Sequence, residues 1–187
     1  MPTNVEIKAR LLDWARAEGR AVELSGSEPE IIEQEDVFFR CEGARLKLRI
    51  LSPKRGELIR YERMDAAEVR SSCYVVARTE DPQSLLEILK QCLGVVGIVR
   101  KTRRLYMVGQ TRVHLDRVED LGDFLELEVV MRPGQNEGEG KRIAGELLAE
   151  LGIEKQHLLA EAYVDLLAKK KHSEGEGRVR EVSGRVV

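Results

Sequence analysis

Charged and apolar side chains alternate at period two along several short stretches of the chain. Asn4, Glu6, Lys8 and Arg10 alternate with Val5, Ile7 and Ala9, and Arg45, Lys47 and Arg49 with Leu46, Leu48 and Ile50. Farther on, Lys101 and Arg103 sit two apart, as do Arg112, His114 and Asp116, while Glu126 and Glu128 alternate with Leu125, Leu127, Val129 and Met131. Successive side chains of a strand point to opposite faces, so each stretch predicts a strand with one charged and one apolar face. Strands are expected over residues 3–10, 30–41, 44–51, 57–64, 71–79, 95–103, 105–108, 111–118 and 123–131. Glu42-Gly43, Ser52-Pro53-Lys54-Arg55-Gly56, Gly109-Gln110 and Leu121-Gly122 punctuate them as turns.

Between the strands the spacing changes to that of a helix. Leu11, Leu12, Ala15 and Val22 fall near one helical face, and Asp81-Pro82 opens a helix whose stripe of Leu85, Leu86, Ile88, Leu89 and Leu93 ends at Gly94. Two more helices are expected over about 139–151 and 155–169. From His172 onward the chain holds Gly, Ser and charges without aromatics, which predicts a disordered tail over 170–187 behind one domain of residues 1–169. No repeat of fixed period is visible.

The length of 187 residues suits one domain with a substantial core. A charged fraction of 34% nets to only −2, which argues against a generally basic nucleic-acid binder and makes any anion site local. Cys41, Cys73 and Cys92 form no CxxC pair, as expected for a reducing compartment. The first residues lack the layout of a signal peptide, and no apolar run reaches the length of a membrane span, so a cytoplasmic protein is expected, with nuclear entry open.

One strand with a charged face is ordinarily a strand whose polar side meets water. Many such strands, some acidic and some strongly basic, favour another arrangement, because like-signed rows on an open solvated sheet repel without return. The expected fold is α+β: a closed or nearly closed antiparallel β-barrel, its charged rows facing a shared lumen and its apolar rows covered by helices packed outside. Lys and Arg crowded into a lumen are stable around a polyanion, and phosphate is the anion that the Arg fork grips best. Carboxylates in the same lumen call for a hard cation between them and the phosphate, which oxygen ligands hold as Mg²⁺ or Mn²⁺.

At Asn4-x-Glu6-x-Lys8 the chain resembles the ExExK signature of CYTH domains, the triphosphate tunnel metalloenzymes that include class IV adenylyl cyclase and thiamine triphosphatase. The resemblance continues through Asp36-x-Phe38-Phe39, Arg45-x-Lys47-x-Arg49, Tyr61-x-Arg63, Lys101-x-Arg103, Asp116, Leu121-Gly122, Glu126-x-Glu128 and Ala162-Tyr163-Val164-Asp165-Leu166-Leu167. It spans about residues 3–167 and is strongest toward the class IV adenylyl cyclase branch. What it implies is an antiparallel barrel tunnel. Glu6, Glu126 and Glu128 match the metal-ligand carboxylates, and Lys8, Arg45, Lys47, Arg49, Arg63, Lys101 and Arg103 match the phosphate-gripping row. Asn4 stands where the signature has its first Glu. An amide carries no charge, so one metal site is expected to be weaker than in the family or absent.

The resulting expectation is a divalent-metal-dependent hydrolase that removes the terminal phosphate of tripolyphosphate, a nucleoside triphosphate or thiamine triphosphate, with Lys8 on the reacting phosphate and no membrane or specific nucleic-acid partner. A cyclase forming cyclic AMP and pyrophosphate from ATP is the alternative within the same resemblance. Outside it stand a binding module without turnover and a structural protein whose charged rows are a solvated face. His114 reads as a hydrogen-bonded structural histidine, Asp116 as a carboxylate that orients a neighbouring Lys or Arg, and Tyr163 and Trp14 as packing residues; His157 is expected at the surface.

Overall fold

The structure, a computed structural model, describes residues 4–61, 70–71 and 74–182. The order of elements is β1 (Asn4–Arg10), α1 (Trp14–Ser25), β2 (Glu30–Phe39), β3 (Arg45–Ser52), β4 (Arg55–Tyr61), β5 (Arg70–Ser71), β6 (Tyr74–Thr79), α2 (Pro82–Leu93), β7 (Val95–Val108), β8 (Thr111–Val118), β9 (Gly122–Val130), α3 (Glu137–Glu150), a 3₁₀ turn (Lys155–His157), β10 (Leu158–Leu159) and α4 (Tyr163–Val182).

Local chemistry sets the helix ends. The Asp13 carboxylate accepts from the Arg16 N–H at 3.0 Å to start α1, and Gly26, at φ 64°, ends it. Asp81 caps α2 with Pro82 in the first turn. In α3 the Asn136 side-chain Oδ1 accepts from the Glu139 N–H at 3.1 Å, while the Glu139 carboxylate accepts from the Asn136 N–H at 2.8 Å. The last helix begins at Tyr163 and continues to Val182, past residue 169.

All pairings in the sheet are antiparallel, in the order β10-β1-β9-β8-β7-β2-β3-β4-β6, with β5 also on β1. The sheet is open, which corrects the expectation of a closed or nearly closed barrel. Its terminal strands are β6 on one side and β10 with β5 on the other, and no pairing among the described residues joins them. The reason lies on β1. Closing the barrel requires the second edge of β1 to pair with β6, but β5 takes it at Val5 and Glu6 and β10 at Lys8 and Ala9. The sheet still curls strongly: Ser71 lies beside β1 and Tyr74 beside β4, and three residues of chain span at most about 11 Å.

The stretch expected as two strands over 95–108 is one, β7. Arg104, which interrupts the charge alternation, turns to the outer face, where it pairs with Glu18 of α1 and lies 5.7 Å from the Trp14 ring centroid. The apolar faces of β1, β8 and β9 pack against α1 and α3 in a core that includes Val113, Leu115, Leu125 and Leu127, all fully buried. Val37, Phe39 and Leu48 do the same under α2. Helix α4 differs, since Tyr163, Val164 and Leu167 pack on Phe38, Val99, Val118 and Phe124, on the charged side of the sheet.

Gly140 lets α3 approach β1. A Cβ there would stand 2.6 Å from Val5 Cγ2 and 2.7 Å from Met131 Sδ. Helix propensity alone makes Gly→Ala favourable by about 1 kcal/mol, but overpacking a buried contact costs about 1–3 kcal/mol. Gly140→Ala is therefore expected to lower the urea midpoint despite the better helix former.

Candidate functional site

The charged faces of β1, β2, β3, β4, β6, β7, β8 and β9 line one cavity of about 1190 Å³, with residues 159–163 crossing one part of its wall. Strand register aligns the acidic row: Glu6 is opposite Glu128, and Lys8 opposite Glu126, on neighbouring β1 and β9. Register likewise places Arg112 beside Glu128 and His114 beside Glu126 across β8 and β9. The solvated-face alternative does not describe these rows, because Lys101 is only 7% exposed and Arg103 only 8%.

Two buried carboxylates organise the cations. Asp116, with no exposed surface, accepts from Lys101 Nζ at 2.8 Å, from Arg103 Nε at 2.6 Å and Nη2 at 2.7 Å, and from the Tyr163 hydroxyl at 3.1 Å. Asp36 accepts from Lys47 Nζ at 2.7 Å, Arg49 Nε at 3.1 Å and Gln34 Nε2 at 2.9 Å. Each carboxylate thus holds one Lys and one Arg from a pair spaced two apart on a single strand. Burial alone would raise both carboxyls, but the adjacent cations outweigh it and keep each well below the usual carboxylate range.

Burial pushes the Lys101 ammonium down to about 8, and Arg103 adds to that by repulsion while Asp116 opposes it. Glu126, which accepts from Arg103 Nη2 at 3.0 Å, is also held low, since the attraction of Lys8 and Arg103 exceeds the cost of burial. His114 is brought down to about 3 by burial and then by Arg103, so its ring is neutral. Its Nδ1 is buried with no partner. Asp116 orients a Lys and an Arg as expected.

Asn4 is 1% exposed, and its amide Nδ2 donates to Glu128 Oε1, the oxygen that also lies 3.0 Å from Arg112 Nη1. A carboxylate at position 4 would repel Glu128, whereas the amide and the guanidinium give its carboxylate donors from the protein itself. The amide oxygen of Asn4 is buried without a partner.

Of the residues expected in the site, the cavity wall gathers Glu6, Lys8, Lys47, Arg49, Lys101, Arg103, Glu126 and Glu128. Arg45 is not in that wall, and its Nη2 instead pairs with Asp165 at 2.9 Å. Arg63 lies outside the described residues. Sequence reasoning missed Asp36 as a clamp, although its alternation with Gln34 and Phe38 puts it on the strand face that meets Lys47 and Arg49 once the β2–β3 register is fixed. It read Tyr163 as a packing residue, which it is, but not as a hydroxyl donor to Asp116.

Carboxylate oxygens at Glu6, Glu126 and Glu128 in the cavity wall are the donors a hard divalent cation takes, and the buried, unpartnered amide oxygen of Asn4, outside that wall, is a neutral donor of the same kind. They fit such an ion in kind but are not drawn together: among the described residues no three His, Cys, Asp or Glu side chains are gathered to hold a metal. Among the described residues the walls carry eight basic and eight acidic side chains.

Sheet and cavity define a class: a curved antiparallel domain that draws acidic and basic rows from many strands into one space. The chain belongs to the CYTH domain family, whose model matches residues 2–163. Among solved structures it is similar to the PH1012 protein of Pyrococcus horikoshii OT3, at 28% identity over 87% of this chain and 98% of that one, with a TM-score of 0.77. It shares its fold with a conserved hypothetical protein of Pyrococcus furiosus (23% identity, 87% and 99% covered, TM-score 0.76) and with a candidate adenylate cyclase of Vibrio parahaemolyticus (19%, 89% and 98%, 0.68). No curated protein matches the chain. No helix among the described residues is long and apolar enough to cross a membrane.

Proposed function

We propose that the cavity binds a triphosphate compound together with Mg²⁺ or Mn²⁺ and that the protein hydrolyses its terminal phosphate. The observation that carries this reading is the balance of the walls. Among the described residues, eight cations set against eight anions attract a polyanion only weakly, while a polyanion that arrives with divalent cations meets both rows on favourable terms.

In this reading Lys47 and Arg49 on one side, and Lys101 and Arg103 on the other, hold the phosphate chain, already aimed by Asp36 and Asp116. The guanidinium N–H groups of Arg49 and Arg103 not taken by Asp36 and Asp116 orient the phosphate, and the lysines supply point charge. Lys8 neutralises the charge on the terminal phosphoryl group as water displaces the remainder of the chain. Glu6, Glu126 and Glu128 are the residues that would hold the metal, which when bound supplies Lewis-acid polarisation of phosphoryl oxygens. A cytoplasmic location, with its supply of such compounds, accords with this role.

Incubating the protein with Mg²⁺ or Mn²⁺ and tripolyphosphate, ATP or thiamine triphosphate, and scoring the products, tests the proposal. Orthophosphate is the expected product; pyrophosphate with a cyclic nucleotide would contradict hydrolysis and establish the cyclase. The pairing of Glu128 with Asn4 and Arg112 favours a second reading, binding without turnover. Tight tripolyphosphate binding with no product, and turnover gained in Asn4→Glu, would establish that reading.

The charge on Lys101 makes binding depend on pH. Its ammonium is the form that grips phosphate, and in the free protein it is lost as pH rises through about 8. Bound polyanion raises that value again, so affinity is full below about 8 and falls above it. The limit for one linked proton is about tenfold per pH unit. Tripolyphosphate titrations between neutral and alkaline pH check this, and Lys101→Arg is expected to flatten the profile.

A further inference from the structure

Lys8 and Lys101 belong to β1 and β7, and β9 and β8 lie between these strands. No ladder of backbone hydrogen bonds links the two directly, and on a flat sheet strands so placed run about 14 Å apart. Yet both ammonium groups lie over one ring. Lys8 Nζ is 4.1 Å and Lys101 Nζ 5.1 Å from the centroid of Tyr163, which comes from the first residue of α4. A cation within about 6 Å of an aromatic centroid is attracted by the ring quadrupole.

The ring is itself held from several sides. Its hydroxyl donates to Asp116 Oδ2 at 3.1 Å, and its plane meets Phe124 at a centroid distance of 4.9 Å. Helix α4 reaches this depth because β7 has Gly97 beneath it, where a Cβ would come within 2.7 Å of Val164 Cγ2. Burial, followed by the charge of Asp116, raises the phenol well above its ordinary value, so the hydroxyl remains a donor. Two ammonium groups brought to one ring repel each other, and an anion between them relieves the repulsion.

We propose that Tyr163 is a positioning residue that gathers Lys8 and Lys101 around one aromatic ring, setting the separation at which these two lysines meet a phosphate group. This deepens the function proposed above and rests on it for the identity of the anion. The ring does the positioning, and the hydroxyl orients the ring.

The test compares Tyr163→Phe with Tyr163→Leu in the full chain grown with lysine ¹³C-labelled at Cε. In ligand-free wild type two lysine Cε–H signals are shifted upfield by the ring current; Lys8→Arg and Lys101→Arg each remove one. The signals stay shifted in Tyr163→Phe and rejoin the other lysines in Tyr163→Leu. With tripolyphosphate and Mn²⁺, Tyr163→Leu weakens binding and lowers kcat/KM by roughly tenfold, as two lost cation–π contacts predict, and Tyr163→Phe restores both to within about threefold of wild type. Lysine signals indifferent to Tyr163→Leu would overturn the placement. Signals that move while tripolyphosphate binding does not would overturn the positioning role. Equal losses in Phe and Leu variants would overturn the assignment to the ring. Wild-type protein that binds no tripolyphosphate would contradict the proposed function and the lysines' role toward phosphate, with the lysine signals still reporting the placement separately.

Discussion

Asp116→Ala protein is expected to lose about 3–5 kcal/mol of folding stability, the range for removing one partner of a buried ion pair. The carboxylate has no exposed surface and receives hydrogen bonds from Lys101, Arg103 and Tyr163. Its removal leaves an ammonium and a guanidinium buried with less compensation than before. Glu126 remains near Arg103, but only through Nη2 at 3.0 Å. Asp116→Asn fills the space without supplying the charge, so most of the loss persists. Chemical denaturation of the two variants beside wild type measures the effect. An Asp116→Asn midpoint equal to that of wild type would show that shape, not charge, holds the cluster.

The same carboxylates set the acid limit of stability. Asp36, Asp116 and Glu126 all have folded-state values depressed below those of the unfolded chain. Their contribution is fully present above the unfolded values, about 4, and is lost as pH falls toward the folded ones. Acid should therefore loosen the charged side of the sheet.

The second large effect falls on turnover. Lys8→Ala is expected to reduce kcat with tripolyphosphate by about 100-fold or more, the scale for removing a preorganised charge from a developing phosphoryl anion. Lys8 is the basic residue in the row with Glu126, on the strand that also carries Glu6. Its ammonium lies over the Tyr163 ring and is drawn by Glu126 across the ladder, without the short carboxylate hydrogen bond that holds Lys101. Lys8→Arg should recover little, because a planar fork does not reproduce a point charge over the ring. If Lys8→Ala changes KM and leaves kcat alone, Lys8 binds the ground state only.

Alternation at period two revealed most of the strands and assigned their faces. Strand β8 falls on 111–118, and the acidic and basic rows do enter one space. The openness of the sheet was not legible. It depends on β5 and β10, two residues each, which are too short to carry any periodic signal yet occupy the second edge of β1. Nor was the fate of Arg45, which shares the alternation of Lys47 and Arg49 but meets Asp165, 120 residues away in sequence. Face can be read from local pattern, whereas the partner at the end of a long side chain depends on where distant elements come to rest. Tyr163 illustrates the same limit, since nothing in its neighbourhood along the chain announces two lysines from β1 and β7.

Calorimetric titration of tripolyphosphate into the protein, with and without Mn²⁺, bears most directly on the meeting of both charged rows in one cavity. With the cation present, saturable binding to one site per chain is expected, weakened by Glu128→Ala as well as by Lys47→Ala; without it, binding should fall at least tenfold. Affinity that is the same in both conditions and indifferent to Glu128 would contradict the account.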